Sequence, residues 1–264
     1  GSEMCIRDSI NIVDSNDSAP VFTSSSVFTV KENQTSIGIM TATDPEGDEV
    51  TYSLSGTDVS LISLNTSSGV LTFKSAPDYE TKSSYSVTVS ASDGTNSTDQ
   101  DITVNVTNVN DNAPEFTSNA SFTADENQTS IGQVVATDAD NDTLTYSISG
   151  SEINIDTSTG VLTFVSAPDY ETKSSYSVTL SASDGTTSTS QDITVNLNNL
   201  NDNVPIFITP ESVTVEENQT VAATVIATDA DGDPISYSFG APEPHVSIDS
   251  DTGVITFRSV PDYE

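Results

Sequence analysis

Along most of this chain apolar and polar side chains alternate one by one. In 85–91 the apolar positions are Tyr85, Val87, Val89 and Ala91, with Ser and Thr hydroxyls between them. Segment 176–182 repeats the pattern with Leu180 in place of Val89, and 102–106 and 193–197 alternate in the same way. A period of two puts every second residue on one face of an extended chain, so each segment predicts a strand with one buried face. Ser, Thr, Asn and Asp fill the remaining positions. Their side chains compete for backbone hydrogen bonds and disfavour helix interiors. In the first part of the chain the alternation predicts strands near 26–30, 37–42, 50–54, 61–64, 70–73, 85–91 and 101–109. Turn signals stand between them at Glu46-Gly47-Asp48, Ser68-Gly69 and Asp93-Gly94. Seven short strands in roughly ninety residues predict an all-β, Greek-key β-sandwich of the immunoglobulin-like kind.

The same string of elements then recurs. Glu-Asn-Gln-Thr starts at Glu32, Glu126 and Glu217, and Pro-Asp-Tyr-Glu starts at Pro77, Pro168 and Pro261, so the period is 91 to 94 residues. Such a period is too long for a solenoid and suits tandem domains. Asn-Asp-Asn-x-Pro linkers mark the boundaries. They predict one domain over 19–112, a second over 113–203 and a third over 204–264 that lacks its last two strands. An incomplete sandwich of that kind is expected to be unstable alone. Segments 75–114 and 166–205 are near-copies of one another. Residues 1–18 are a non-repeat piece followed by the end of a linker. Residues 1–9 match nothing in the repeats and hold the only Cys, Cys5. The repeats are therefore cysteine-free, and disulfides cannot be what stabilises them.

Charge narrows the function. The 264 residues carry 40 acidic and 6 basic side chains, a formal charge of -34. Nucleic acid and anionic membranes are excluded as partners, because both are bound through Lys and Arg clusters. No stretch approaches the roughly 18 apolar residues of a membrane helix. The acids are placed, not scattered. A sandwich would carry Glu32, Asp78 and Glu80 at one end of the first repeat, and Asp138, Asp140 and Asp184 at the facing end of the second. With Asp111 of the linker these make a seam of carboxylates. Two unit charges about 5 Å apart repel by about 3 kcal/mol at an effective dielectric of 20. Several such pairs would exceed a domain's whole stability of about 5–15 kcal/mol. A hard cation resolves this, and oxygen ligands without His or Cys select calcium over zinc.

The five ordered elements are Glu-Asn, Asp-x-Asp, Asp-x-Glu, Ala-x-Asp-x-Gly and Asn-Asp-Asn-x-Pro. Together they resemble cadherin repeats across the whole chain after Ser9. The resemblance implies three calcium ions at a complete junction. Glu32, Asp78, Glu80 and Asp111, with the Val109 carbonyl, would hold two of them, and Asp140 would bridge to the third. Asp138, Asp184, Asn110 and the Asn112 carbonyl would complete that third ion. The second junction matches in Glu126, Asp169, Glu171, Asn201, Asp202, Asn203, Asp229 and Asp231. Its Ala-x-Asp partner is missing. Asn16, Asp17, Asp44, Glu46 and Asp93 resemble half a junction at the N-terminal edge, where Glu46 replaces the usual second Asp. The linkers open with Asn108 and Asn199 where many cadherins have Asp. The chain has no Trp to carry strand-exchange adhesion.

The resemblance implies an extracellular, calcium-rigidified segment of an adhesion protein, with neighbouring repeats and another cell-surface protein as partners. The alternative is a calcium-dependent carbohydrate-binding module with a polysaccharide partner. The Ser/Thr/Asn-rich, Lys-poor composition resembles repeats of large bacterial surface proteins. An EF-hand at Asp229 fails, because position six is Pro234 and position twelve is Gly240. No nucleophile–base pair is present, so no enzyme is expected. Tyr79, Tyr170 and Tyr263 read as packing residues and His245 as an incidental loop residue. Asn33, Asn127 and Asn218 head Asn-Gln-Thr glycosylation sequons.

Overall fold

A computed structural model describes residues 15–262 and Glu264. Residues 1–14, with Cys5, and Tyr263 lie outside the described residues. The chain divides into two compact units. One ends at Asn112 and takes in the loop Asp138–Asp142, and the other comprises Ala113–Thr137 and Thr143–Glu264. All regular structure in the described residues is strand.

In the first unit the strands are β1 (Val21–Phe22), β2 (Val27–Lys31), β3 (Ser36–Ile39), β4 (Ala42–Thr43), β5 (Thr51–Ser55), β6 (Ile62–Leu64), β7 (Val70–Phe73), β8 (Ser84–Ser92) and β9 (Ser97–Thr107). A four-stranded sheet runs β2-β9-β8-β5, with β2 parallel to β9 and the other pairs antiparallel. Opposite it lie the sheet β3-β7-β6 and the ribbon β1-β4. The period-two faces meet between the sheets. Met40, Leu71, Val89, Ala91, Ile102 and Val104 are fully buried there, and each large aliphatic side chain so buried stabilises by about 1.5–3 kcal/mol. The rings of Phe73 and Tyr85 meet edge to face in the same core, 4.9 Å apart.

Two strand expectations are corrected. The strand expected over 37–42 is broken, because β3 pairs with β7 whereas β4 pairs with β1. Between them Met40 turns into the core and gives its N–H to the Gly69 carbonyl at 2.8 Å. The strand expected over 101–109 begins at Ser97 and stops at Thr107. It starts early because the β8–β9 hairpin pairs down to Ser92 and Ser97. It stops early because the Val109 N–H turns away to Glu32. The Met40–Gly69 contact also demands glycine. Gly69 has φ +70, and a Cβ there would lie 2.1 Å from the Met40 carbonyl oxygen.

The second unit repeats this plan with β10 (Glu115–Phe116), β11 (Ser121–Asp125), β12 (Ser130–Gln133), β13 (Ala136–Thr137), β14 (Thr145–Ile148), β15 (Ile153–Ile155), β16 (Val161–Phe164), β17 (Ser175–Ser183) and β18 (Ser188–Asn198). Its four-stranded sheet runs β11-β18-β17-β14, again with a parallel first pair. Then follow β19 (Ile206–Phe207), β20 (Val221–Thr224), β21 (Ala227–Thr228), β22 (Val246–Ile248) and β23 (Val254–Phe257). These form only β19-β21 and β20-β23-β22. Among the described residues after Asn203 the one buried hydrophobic residue is Ala227, while Val204, Ile206, Phe207 and Ile208 are more than half exposed.

Candidate metal centres

The end of β2 sets the first site. Glu32 directly follows the strand and is 4% exposed. Its Oε2 accepts the Tyr79 N–H and its Oε1 the Val109 N–H, each at 2.7 Å. One buried carboxylate thus ties the Pro-Asp-Tyr-Glu loop to the linker after β9. From the other side comes Asp140, 6% exposed. Its Oδ2 accepts the N–H groups of Asp111 at 3.1 Å and Asn112 at 2.9 Å. The Asn108 side-chain amide donates to the Asp140 carbonyl at 2.9 Å, which gives the Asn that opens the linker a role of its own. Carboxylate oxygens of Glu32, Glu80, Asp111 and Asp140 all lie within 4.8 Å of one another. Asp138, Asp140 and Asp142 form an adjoining group, and Asp138 Oδ2 is buried without a hydrogen-bond partner among the described residues.

The second site is built the same way. Glu126, 2% exposed, accepts the N–H groups of Tyr170 and Leu200, each at 2.7 Å. Asp231 accepts those of Asp202 at 3.2 Å and Asn203 at 2.8 Å, and Asn199 donates to the Asp231 carbonyl. Glu126, Glu171 and Asp202 make one close group, and Asp229, Asp231 and Asp233 another. Asn201 lies on this linker and is exposed.

The electrostatics show crowding without basic relief. Burial, then repulsion from Glu32 and Asp140, pushes the Glu80 carboxyl above its ordinary value. Glu171 is pushed up likewise, by burial and then by Glu126 and Asp231. Burial would also raise Asp140, but the Asn112 and Asp111 donors outweigh it and hold that carboxyl low. The Asn203 side chain is the main cause of the same lowering at Asp231. The ion pairs seen among the described residues are Lys82–Asp58 and Lys173–Glu152, neither of which touches a cluster.

The remaining candidate residues sit at the edges. Asp78 and Asp169 are exposed. Each is held low chiefly by the hydroxyl of the Thr three residues on, Thr81 or Thr172. Asp184 is buried at the turn after β17 and accepts from Thr187 Oγ1 at 2.6 Å. Val109 and Asn110 are half-buried in the linker. At the N-terminal edge Glu46 accepts the Ser18 hydroxyl at 2.7 Å, and Asn16 Oδ1 accepts the Asn96 amide at 3.2 Å. Asp17 is exposed. Asp44 Oδ2 and Asp93 Oδ2 are buried without hydrogen-bond partners among the described residues. Neither residue belongs to the close carboxylate groups above.

Sequence reading missed four contributors. Asp142 and Asp233 extend the Asp-x-Asp pairs and are visible as Asp-x-Asp-x-Asp. The other two follow the buried Glu residues: Asn33 and Asn127 donate their amides to Asp111 and Asp202. Their repetition beside Glu32 and Glu126 was the available signal, and the sequon pattern masked it.

Tandem all-β sandwiches with a buried Glu and an acidic linker at each complete repeat define a class of extracellular repeat protein. The Cadherin domain family profile matches residues 26–107 and 120–198. This chain belongs to the cadherin family. Protocadherin Fat 4 of Homo sapiens is 35% identical over 97% of the chain, which spans only 6% of that protein. The crystal structure of mouse cadherin-23 EC22-24 is similar with a TM-score of 0.72 at 26% identity, covering 94% of this chain and 91% of that one. The protocadherin gammaB7 EC3-6 cis-dimer structure is similar with a TM-score of 0.69 at 27% identity, covering 93% of this chain and 67% of that one. Cadherin repeats are extracellular and not enzymes.

Proposed function

We propose that this segment is a calcium-rigidified adhesion module whose ions sit on the acidic clusters. The observation that carries the reading is the group of Glu32, Glu80, Asp111 and Asp140, with oxygens within 4.8 Å and no basic side chain among them. Every donor is oxygen, as calcium requires. Three calcium ions would carry six positive charges, which nearly balance the seven carboxylates of Glu32, Asp78, Glu80, Asp111, Asp138, Asp140 and Asp184. Asp140 comes from the loop before β14, and Glu32 from the end of β2. An ion joining them therefore couples parts of the chain that otherwise repel. Residues 19–112, 113–203 and 204–264 serve as the repeats so coupled. Lateral pairing with another cadherin-repeat chain, of the kind in the protocadherin gammaB7 cis-dimer, is the partner reading that follows.

The test is thermal melting and the radius of gyration, with calcium and with chelator. Extracellular calcium modules bind at about 10⁻⁴–10⁻³ M, and ligand at about 100 Kd stabilises by about 2.7 kcal/mol. A higher melting temperature with calcium is expected. Identical melting and identical dimensions in the two conditions would sink the reading.

A further inference from the structure

The side chain next to each buried Glu has an unusual placement. Asn33 has φ +62 and Asn127 has φ +64, in the left-handed region. There a side chain costs about 1–2 kcal/mol relative to glycine, least for Asn and Asp. The turn itself needs only the backbone: Asn33 N–H donates to the Pro77 carbonyl at 3.0 Å, and Asn127 N–H to the Pro168 carbonyl at 2.9 Å. Glycine would serve that purpose with less strain. The side chain does something further. Asn33 Nδ2 donates to Asp111 Oδ2, while Asn112 Nδ2 donates to Asp111 Oδ1 at 2.9 Å. Both oxygens of this exposed linker carboxylate are therefore held by neutral amides. The second unit repeats the arrangement: Asn127 Nδ2 donates to Asp202 Oδ2, and Asn203 Nδ2 to Asp202 Oδ1 at 2.8 Å.

The chemistry of the donor explains the choice. Left alone, the Asp111 carboxylate would rotate away from Glu32, Glu80 and Asp140, since like charges repel. A Lys or Arg would hold it, but would also cancel the charge that attracts a cation. An amide fixes its direction and leaves its full negative charge available. We propose that Asn33 and Asn127 are positioning residues, which aim the linker carboxylates Asp111 and Asp202 into their clusters before a cation arrives. This rests on the calcium reading above and assigns the two asparagines as outer-shell partners of the site.

The experiment uses the full chain and the double variant Asn33→Gly/Asn127→Gly, which keeps the left-handed turns and removes only the amides. Cooperative melting in chelator establishes that the variant folds. Calcium titration calorimetry should then show affinity weakened by about 10–100-fold, the usual cost of losing an outer-shell partner. Europium luminescence lifetimes in H₂O and D₂O count waters on the bound ion. That count should rise as the linker carboxylates turn away, which a purely structural role of the turn would not produce. Unchanged calcium affinity, or an unchanged water count, overturns the assignment. A parent chain that takes up no calcium overturns the cation reading itself and this inference with it, whereas a parent that binds beside an unaltered variant overturns only the role of the amides.

Discussion

The first two repeats carry the same lysine beside the same tyrosine, yet the lysine's partner differs. Lys82 pairs with Asp58, a residue 6% exposed whose carboxylate also accepts the Ser86 N–H at 2.8 Å. Lys173 pairs with Glu152 at 2.5 Å, and both side chains are exposed. The cause is an inserted turn. The first repeat has three more residues between Gly56 and Ile62 than the second has between Gly150 and Ile153. Leu61 rather than Asp58 stands where the second has Glu152, since the Lys74 N–H donates to the Leu61 carbonyl as the Val165 N–H does to that of Glu152, each at 2.9 Å. The turn is held by Lys74, which donates to the Ser60 carbonyl at 2.8 Å, where the second repeat has Val165. The acidic clusters, by contrast, keep the same hydrogen bonds in both units. The cluster end keeps its donors, because backbone N–H groups fix Glu32, Asp140, Glu126 and Asp231 while side-chain amides hold Asp111 and Asp202. The opposite end is free to drift, because its ion pairs depend on loop length and exposure alone.

The largest expected effects test the shared frame. Gly69→Ala and Gly160→Ala should each cost about 3 kcal/mol, since their Cβ atoms would stand 2.1 and 2.4 Å from carbonyl oxygens at positive φ. Chemical denaturation should give similar losses for the two, and markedly unequal losses would break the equivalence of the repeats. The next effect separates them. Asp58→Ala strands the Ser86 N–H and a partly covered ammonium and should cost about 2 kcal/mol. Glu152→Ala removes an exposed pair and should cost well under about 1 kcal/mol. Equal costs in denaturant titration would mean the inserted turn shelters nothing.

Acid sharpens the contrast further. Burial would raise Asp58, but its bonds to Lys82 and Ser86 outweigh this and hold the carboxyl below its ordinary value of 3.8. A depressed folded value stabilises above the unfolded value, and that stability is lost as pH falls through the folded one. Below about pH 4 the parent should therefore lose stability that Asp58→Asn does not lose, and matching pH–melting curves would contradict this. The smallest effect is at the turn before β16. Asp156, held down to about 2 by Thr159 and Ser158, stands where the first repeat has the uncharged Asn65. As pH falls from about 3.8 through about 2 this turn should loosen only in the second repeat. Amide exchange at Gly160 against Gly69 reads the difference.

Much of the fold was legible in the sequence because a strand with one buried face writes its period into every second residue. Most strands of a repeat, the tandem period and the acidic cassettes follow from that and from spacing, whereas the two-residue β1 and the division of 37–42 into β3 and β4 do not. Where strands end was less legible. Met40 and Val109 leave their strands to satisfy Gly69 and Glu32, partners 29 and 77 residues away in sequence. The parallel pairing of β2 with β9 is likewise a long-range choice that alternation cannot encode.

By itself the sequence determined which side chains are acidic, where they recur and which face of each strand is apolar. Only the tertiary structure decided which carboxylates come within ligand distance and which stay apart. It drew Glu32, Glu80, Asp111 and Asp140 together, left Asp78 to its own turn, and turned the amide of Asn33 onto Asp111. The reason is that composition and period are local properties of the chain. A metal-sized group of oxygens is made by backbone donors that only the packed loops can aim.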